Sequence, residues 1–484
     1  MPDQNARPRG TLFGGVFDRG GVATGDTAWL QALLDAEAGL ARAVERAGLA
    51  PEGSGAAVTR AAAGADLSAA EMAEVAQSTE LTGNPVPGLA RVLTRRVPGF
   101  AAMAVHRGAT SQDIMDTAAM LLARRAIDVT RLDLTSAGAS AARLAHAHRG
   151  TLMIGRTLLQ QAVPVTFGLV AAGWLAGIDE ALHGLDRVRT QRLAVQFGGA
   201  AGTLASLGAE DGPRVAALLA QELGLAAPPL PWHTERLRVV DVAVAMARVS
   251  ATLGKVARDV TLLAQTEVGE LAEGTGLAGG TGASSPDNSK MPPAGTAGQG
   301  NAPRRGGSSA MPNKNNAVAS VAILGCSRQV PGLLATLVAS AEQEHQRAAG
   351  AWHAEWQPFS DILRLAGSAA SWGADLLGGL GVDSARMAAN LAASAGLPLA
   401  EQVTGLLAGK LGRPQAHDLV AAAAARAVSS GLPLRDVLLA APEVARAGVT
   451  AGQVDAALDP AGYLGASSHF IDAALRAHEQ QDAH

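Results

Sequence analysis

An all-α fold is what this sequence predicts, from three observations. Aromatic residues make up only 3% of the 484 positions while alanine is abundant. That composition suits helices better than sheets, whose surfaces favour aromatic and β-branched residues. Apolar residues recur at helical spacing over long stretches, and helix start and stop signals bracket them. Residues 1–26 carry Gly and Pro and read as irregular. Asp26 then reads as an N-cap for a helix to about Ala47, with Trp29, Leu30, Leu33, Leu34, Leu40 and Val44 on one face; Gly48 and Pro51 stop it. Ser68 followed by Glu71 is a capping box for a second helix, ending near Thr82-Gly83-Asn84-Pro85. A polar turn, His106 to Asp113, precedes a long helical pattern from about Asp113 to His148. From Pro164 to about Glu270 long helices alternate with short breaks, one of them the small-residue run Gln196–Thr203. A further helix is predicted from Val318 to about Arg347, and shorter amphipathic helices fill 361–484. The expected domains are an N-terminal helical one (1–112), a central long-helix one (113–360) and a C-terminal helical one (361–484).

Net charge is -4, with no basic stripe of the kind that marks nucleic-acid binding. The single cysteine, Cys326, excludes an intramolecular disulfide and fits a reducing compartment. The N-terminus lacks an apolar signal region, and the run Val165–Ile178 is short for a membrane span. A cytoplasmic protein acting on a small molecule is the expectation. Gly274-Thr-Gly-Leu-Ala-Gly279 fits a dinucleotide pattern, but no strand precedes it, so the match is set aside. It lies in a low-complexity stretch, Gly274 to Gly307, that reads as a mobile loop. His353 and Glu355 do not share a helical face and have no companion ligands, which points to structural roles rather than a metal site. No metal or organic cofactor is expected.

Chemistry concentrates in Gly306-Gly-Ser-Ser-Ala-Met-Pro-Asn-Lys-Asn-Asn316, within the expected loop of about 274–316. Two glycines give freedom of backbone, and Pro312 stiffens the middle. A serine becomes a base only when its pKa falls, and a neighbouring ammonium, backbone N–H groups and exclusion of water act in that direction. The same lysine and amides can hold a developing oxyanion. The order of residues resembles the signature of the fumarase/aspartase superfamily, Gly-Ser-Ser-x-Met-Pro-x-Lys-x-Asn. All fixed positions are met, by Gly307, Ser308, Ser309, Met311, Pro312, Lys314 and Asn316. The turn His106-Arg-Gly-Ala-Thr110-Ser111-Gln-Asp113, with Asp116-Thr117 after it, resembles the second signature. Gly155, Arg156, Thr157 and Gln160 resemble the third, Gly-Arg-Thr-His-x-Gln, except that Leu158 stands at the histidine.

The resemblance runs from Leu12 to about Leu439 and is nearest to the bacterial 3-carboxy-cis,cis-muconate cycloisomerases. It implies a long central helix bundle, a homotetramer with shared active sites, and a small dicarboxylate substrate. It also implies roles: Ser308 as general base, Lys314 and Asn316 as catalytic partners, and Thr110 and Ser111 on a carboxylate. Asn84, Arg156, Gln160, His106, Ser309 and Met311 are the further substrate-binding candidates. The signature departs from that branch, where His, Arg and Pro usually occupy the positions of Asn313, Asn315 and Ala317. Losing an arginine weakens recognition of a tricarboxylate. Losing the third-region histidine suits a leaving group that needs little protonation. Nitrosuccinate, giving fumarate and nitrite, meets both conditions. Lactonising cycloisomerisation is the alternative, and a catalytically silent helical scaffold the second.

Overall fold

The computed structural model describes residues 12–64, 66–274, 306–307, 311 and 314–482. Ser308, Ser309, Pro312 and Asn313, with most of the expected 274–307 loop, lie outside the described residues. Helices dominate, as composition and periodicity predict. Those of 25 residues or more are Ser111–Ala147, Phe167–Gln191, Leu237–Leu263 and Ala351–Gly378. Two compact units form: Met1–Thr135 with Glu180–Gly254 and Ala322–Gly373, and Ser136–Asp179 with Lys255–Val321 and Ala374–His484.

In the first unit the helix Asp26–Arg46 buries Leu30, Leu33, Leu34, Leu40 and Val44, the predicted stripe. Its N-cap is Gly25 rather than Asp26, which is the first helical residue and places its charge at the positive end of the helix. The helix packs on Ser54–Ala62 and Gly208–Leu223, and Glu222 takes Arg42 at 2.7 Å and Arg46 at 2.6 Å. Ser68 and Glu71 form both halves of the capping box, and Ala69–Thr82 ends on left-handed Gly83.

In the second unit Ala400–Leu411, Arg413–Ser430, Leu434–Leu439, Pro442–Arg446 and Ala451–Ala457 enclose a small core. Val403, Leu407, Val420, Leu434, Leu438 and Val454 fill it. Leu271–Ala272 pairs antiparallel with Gly381–Val382.

Two expectations need correction. Helix does not begin at Pro164: Leu152–Thr157 and Gln160–Thr166 form an antiparallel hairpin, and helix starts only at Phe167. Val163, Val165 and Thr166 favour extended backbone, and Pro164 denies the segment a helical hydrogen bond. A register shift falls between Ile154 and Arg156, and a Cβ on Gly155 would lie 2.5 Å from the Val163 carbonyl oxygen, so only glycine fits there. The second correction concerns the helix expected over Val318–Arg347. It is two helices, Val318–Ser327 and Val330–Ala339, with Arg328-Gln329 in a turn between them. Pro331 explains the break, because its ring is tolerated in a first helical turn and not in an interior one. By length and composition alone Val318–Ala339 is apolar enough to cross a membrane, a test that core helices also pass.

Candidate active site

The turn before the Ser111–Ala147 helix is built around one buried carboxylate. Asp113 is 1% exposed and accepts four hydrogen bonds. Its Oδ2 takes the Thr110 and Gly199 N–H groups, each at 2.9 Å. Its Oδ1 takes the Gly198 N–H at 2.9 Å and sits 2.7 Å from His233 Nε2. The Asp113 N–H returns to the Thr110 carbonyl, so the helix start is capped as the turn's polarity predicts. One turn later Thr117 Oγ1 accepts from the Gln196 N–H at 2.9 Å and donates to the Gln196 carbonyl at 3.1 Å. The run Gln196–Thr203 is therefore a true break between helices, as expected. It is a loop moored to the same helix face, since positions 113 and 117 lie one turn apart. Gly108 closes the turn at φ 76°, where a Cβ would meet Leu207 at 2.5 Å.

Asp116, on the same face, belongs to a buried ion network. Arg236 bonds to both its oxygens at 2.7 and 2.9 Å and to Glu355 at 2.6 Å. Glu355 thus has the structural role expected of it, and the His353 ring stacks beside Trp352 and Trp356. Among the described residues no cluster of metal-ligating side chains occurs.

His106, which opens the turn, is held at φ 55° by Glu37. That fully buried carboxylate accepts the His106 N–H at 2.9 Å and contacts Nδ1 at 2.7 Å. Burial works against the imidazolium, but the Glu37 charge and hydrogen bond, with Asp113 beyond, outweigh it and raise the pKa. Asn84 has a local duty: its Oδ1 accepts the Val86 N–H at 3.2 Å, opening the helix Val86–Arg96.

The second unit holds the other signatures. Gly306, at φ 85°, gives its carbonyl to the Asn316 N–H at 2.9 Å and to Asn316 Nδ2 at 3.0 Å. Gly307 pairs antiparallel with Asn315, so these two positions of the segment are held side by side. Asn315 Nδ2 donates to the Glu273 carbonyl at 3.2 Å. The Glu273 carboxylate caps the next helix, accepting from the Ala319 and Ser320 N–H groups at 2.8 and 2.9 Å. Lys314 and Met311 are exposed. Arg156 forms a bidentate pair with buried Glu270 at 2.7 and 2.9 Å, and Asn390 supports the same carboxylate at 2.8 Å. Leu158 and Leu159 form the two-residue hairpin tip, both left-handed and exposed, with Gln160 beside them. Thus His106, Thr110 and Ser111 are brought together in one unit. Lys314 and Asn316 are gathered in the other.

Sequence reading missed Glu37, Glu270, Glu273 and His233 as partners of the signatures. For Glu37 a signal existed: it falls on the apolar face defined by Leu30, Leu33, Leu34, Leu40 and Val44, where a charge calls for a partner.

A family model described as "Lyase" matches residues 24–285, and one described as "Adenylosuccinate lyase C-terminus" matches 396–474. The chain belongs to this lyase family, within the fumarase/aspartase superfamily. Among lyases of the superfamily it is 42% identical over 468 residues to a nitrosuccinate lyase of Streptomyces davaonensis, covering 94% of this chain and 91% of that one. It is 42% identical over 457 residues to a 3-carboxy-cis,cis-muconate cycloisomerase of Bradyrhizobium diazoefficiens, covering 94% of each. The solved 3-carboxy-cis,cis-muconate lactonizing enzyme of Pseudomonas putida matches with a TM-score of 0.85 at 36% identity, over 97% of this chain and 99% of that one. The all-α fold of the superfamily is therefore the fold here.

Asp113→Asn tests the turn. An amide cannot accept four donors, so at least one buried N–H loses its partner. We expect a loss of about 3 kcal/mol in denaturant unfolding, from hydrogen bonds to a charged group. A change below about 1 kcal/mol would show that the carboxylate does not hold the turn.

Proposed function

We propose that this lyase eliminates nitrite from nitrosuccinate in the cytoplasm, releasing fumarate. The observation that carries the reading is the pair of asparagines in the signature, joined to whole-chain similarity to a nitrosuccinate lyase. Asn315 replaces the arginine of the cycloisomerase signature, and its amide is turned onto the Glu273 carbonyl. Lys314 then supplies the segment's positive charge without a guanidinium beside it, which suits a smaller anion than a tricarboxylate. Leu158 brings no proton to the leaving group, and nitrite needs none because nitrous acid is far stronger than water or an alkylammonium.

In this reading Ser308 removes the proton on the carbon next to one carboxylate. The electrons pass to that carboxylate as an aci form, held by Lys314, and then expel nitrite from the neighbouring carbon. Thr110 and Ser111 hold a carboxylate, and Asn316 keeps the loop closed on Gly306 while contributing its remaining amide oxygen to the site. A homotetramer with shared sites is part of the proposal. The lactonising reading stays as a second one, because a cycloisomerase is as similar along the chain.

Purified protein given nitrosuccinate should yield fumarate and nitrite in equal amounts. Given 3-carboxymuconate it should yield lactone at least about 100-fold more slowly, the scale on which one lost bidentate charge contact changes a rate. Lactone without nitrite would overturn the elimination and make Asn313 and Asn315 neutral replacements.

A further inference from the structure

We propose that Glu37 is a positioning residue: its buried carboxylate fixes one tautomer of the His106 ring and leaves Nε2 as the atom that meets an anionic group of the substrate. The identity of that substrate rests on the elimination reading; the geometry does not.

A carboxylate on the apolar face of a core helix is costly to bury unless it is fully engaged. Glu37, with none of its surface exposed, spends both oxygens on one residue, taking the His106 N–H at 2.9 Å and Nδ1 at 2.7 Å. Packing alone would be served by a leucine, like those at 33, 34 and 40. The clamp also explains the backbone. Left-handed φ at a non-glycine residue costs of order 1–2 kcal/mol and persists where surrounding contacts over-determine it. Here the two contacts to Glu37 do so.

The chemistry follows from the ring. With Nδ1–H given to Glu37, the neutral ring keeps its lone pair on Nε2; once protonated, Nε2–H becomes a donor. Nε2 has no protein partner among the described residues, and the side chain is 25% exposed. Other rings near the signatures are committed: His233 to Asp113, and His148 to Thr151. The groups acting on His106 are Glu37 from the Asp26–Arg46 helix and Asp113 from the Ser111–Ala147 helix, the latter paired with His233. Both favour the imidazolium. No proton changes hands at His106 in the elimination. Ser308 takes the C–H proton, the C–N electron pair leaves with nitrite, and Nε2–H holds negative charge on the substrate throughout.

Because the folded pKa of His106 lies above that of free imidazole, the pair's stabilisation is complete below about pH 6.5 and is lost as pH rises through the folded value. Binding of the substrate dianion should fade over the same interval, as an alkaline limb in kcat/KM.

The test is NMR of the full-length protein with labelled imidazoles, His106→Gln serving to assign the resonance. We expect the Nδ1–H tautomer in the neutral ring and a titration above about pH 6.5. In Glu37→Gln the midpoint should fall by about one unit or more, the effect of removing an adjacent charge. The alkaline limb with nitrosuccinate should move down equally, and in His106→Gln it should vanish with KM raised about 10-fold, one lost charged hydrogen bond. An Nε2–H tautomer, or an unshifted midpoint in Glu37→Gln, overturns the proposal. Should Glu37→Gln fail to fold, the wild-type tautomer and midpoint decide. Should nitrosuccinate not react, the elimination reading fails while the ring titration still judges Glu37.

Discussion

Ser308→Ala is expected to lower kcat by about 10³-fold or more, with KM and the thermal unfolding midpoint close to wild type. A general base acts only as the transition state forms, so its loss appears in kcat rather than in ground-state binding. A serine hydroxyl can accept a proton once an ammonium stands near it, and of the two in the signature Ser308 is the one the family resemblance assigns as base. Lys314 is six residues away, in a segment whose far end is fixed by Asn316 on the Gly306 carbonyl. In the proposed mechanism Lys314→Met should act through the same step, because there the ammonium stabilises both the serine alkoxide and the aci-carboxylate. The two substitutions should be strongly non-additive, the double variant being little worse than either single one, since they serve one event. A Ser308→Ala enzyme with more than about one tenth of wild-type kcat would remove Ser308 from the mechanism and reopen the search for the base.

The signature residues stand out in the sequence because their chemistry is written in linear order. Two hydroxyls, a lysine and an asparagine within eleven positions, or Thr-Ser-x-Asp before a helix, need no tertiary contact to be recognised. The capping box Ser68–Glu71 and the stripe of the Asp26–Arg46 helix are local in the same sense. What stayed hidden depends on partners distant in sequence. Glu37 is 69 residues from His106, Glu270 is 114 from Arg156, and Asp113 meets Gly198 across 85. No period or spacing encodes such pairings. The hairpin at Leu158-Leu159 was hidden for a different reason. A two-residue turn with both residues left-handed is announced by Asn-Gly or Asp-Gly, and here it carries two leucines. The turn is chosen by the paired strands, Gly155 with its register shift included, against the preference of its own residues.

Replacing Arg236 should be the largest single loss of stability, about 3–5 kcal/mol for Arg236→Met. Its guanidinium is 2% exposed and lies between Asp116, 3% exposed, and Glu355, 3% exposed. It reaches Asp116 at 2.7 and 2.9 Å, Glu355 at 2.6 and 3.0 Å, and stacks over Trp232 with 4.9 Å from Cζ to the ring centroid. Trp352 Nε1 donates to Asp116 at 3.1 Å and Gln343 Nε2 to Glu355 at 3.0 Å, so the carboxylates are oriented from outside as well. Burial opposes the guanidinium charge, yet Asp116 and Glu355 outweigh it and hold its pKa above the ordinary value. For Glu355 burial dominates and raises the pKa even with Arg236 opposing. Removing the cation leaves two carboxylates facing each other without water, and Glu355, whose pKa burial already raises, loses the charge that opposed the rise. The variant's stability should accordingly be greatest below about pH 4 and fall as pH rises through the raised value of Glu355. Arg236→Lys should recover little, because one ammonium cannot reproduce a fork held by two carboxylates. Replacing all three charges by apolar residues should restore part of the loss, since no buried charge is then left unpaired although Trp352 Nε1 and Gln343 Nε2 lose these acceptors. Urea unfolding at fixed protein concentration reads these differences as midpoint shifts at constant m. A loss below about 1 kcal/mol in Arg236→Met would mean that the network is not the brace it looks to be. The consequence for the site is direct, because Asp113, Asp116 and Thr117 sit on successive turns of one helix face. Two of them moor the signature turn and its glycine loop, and the third fixes that face to Arg236.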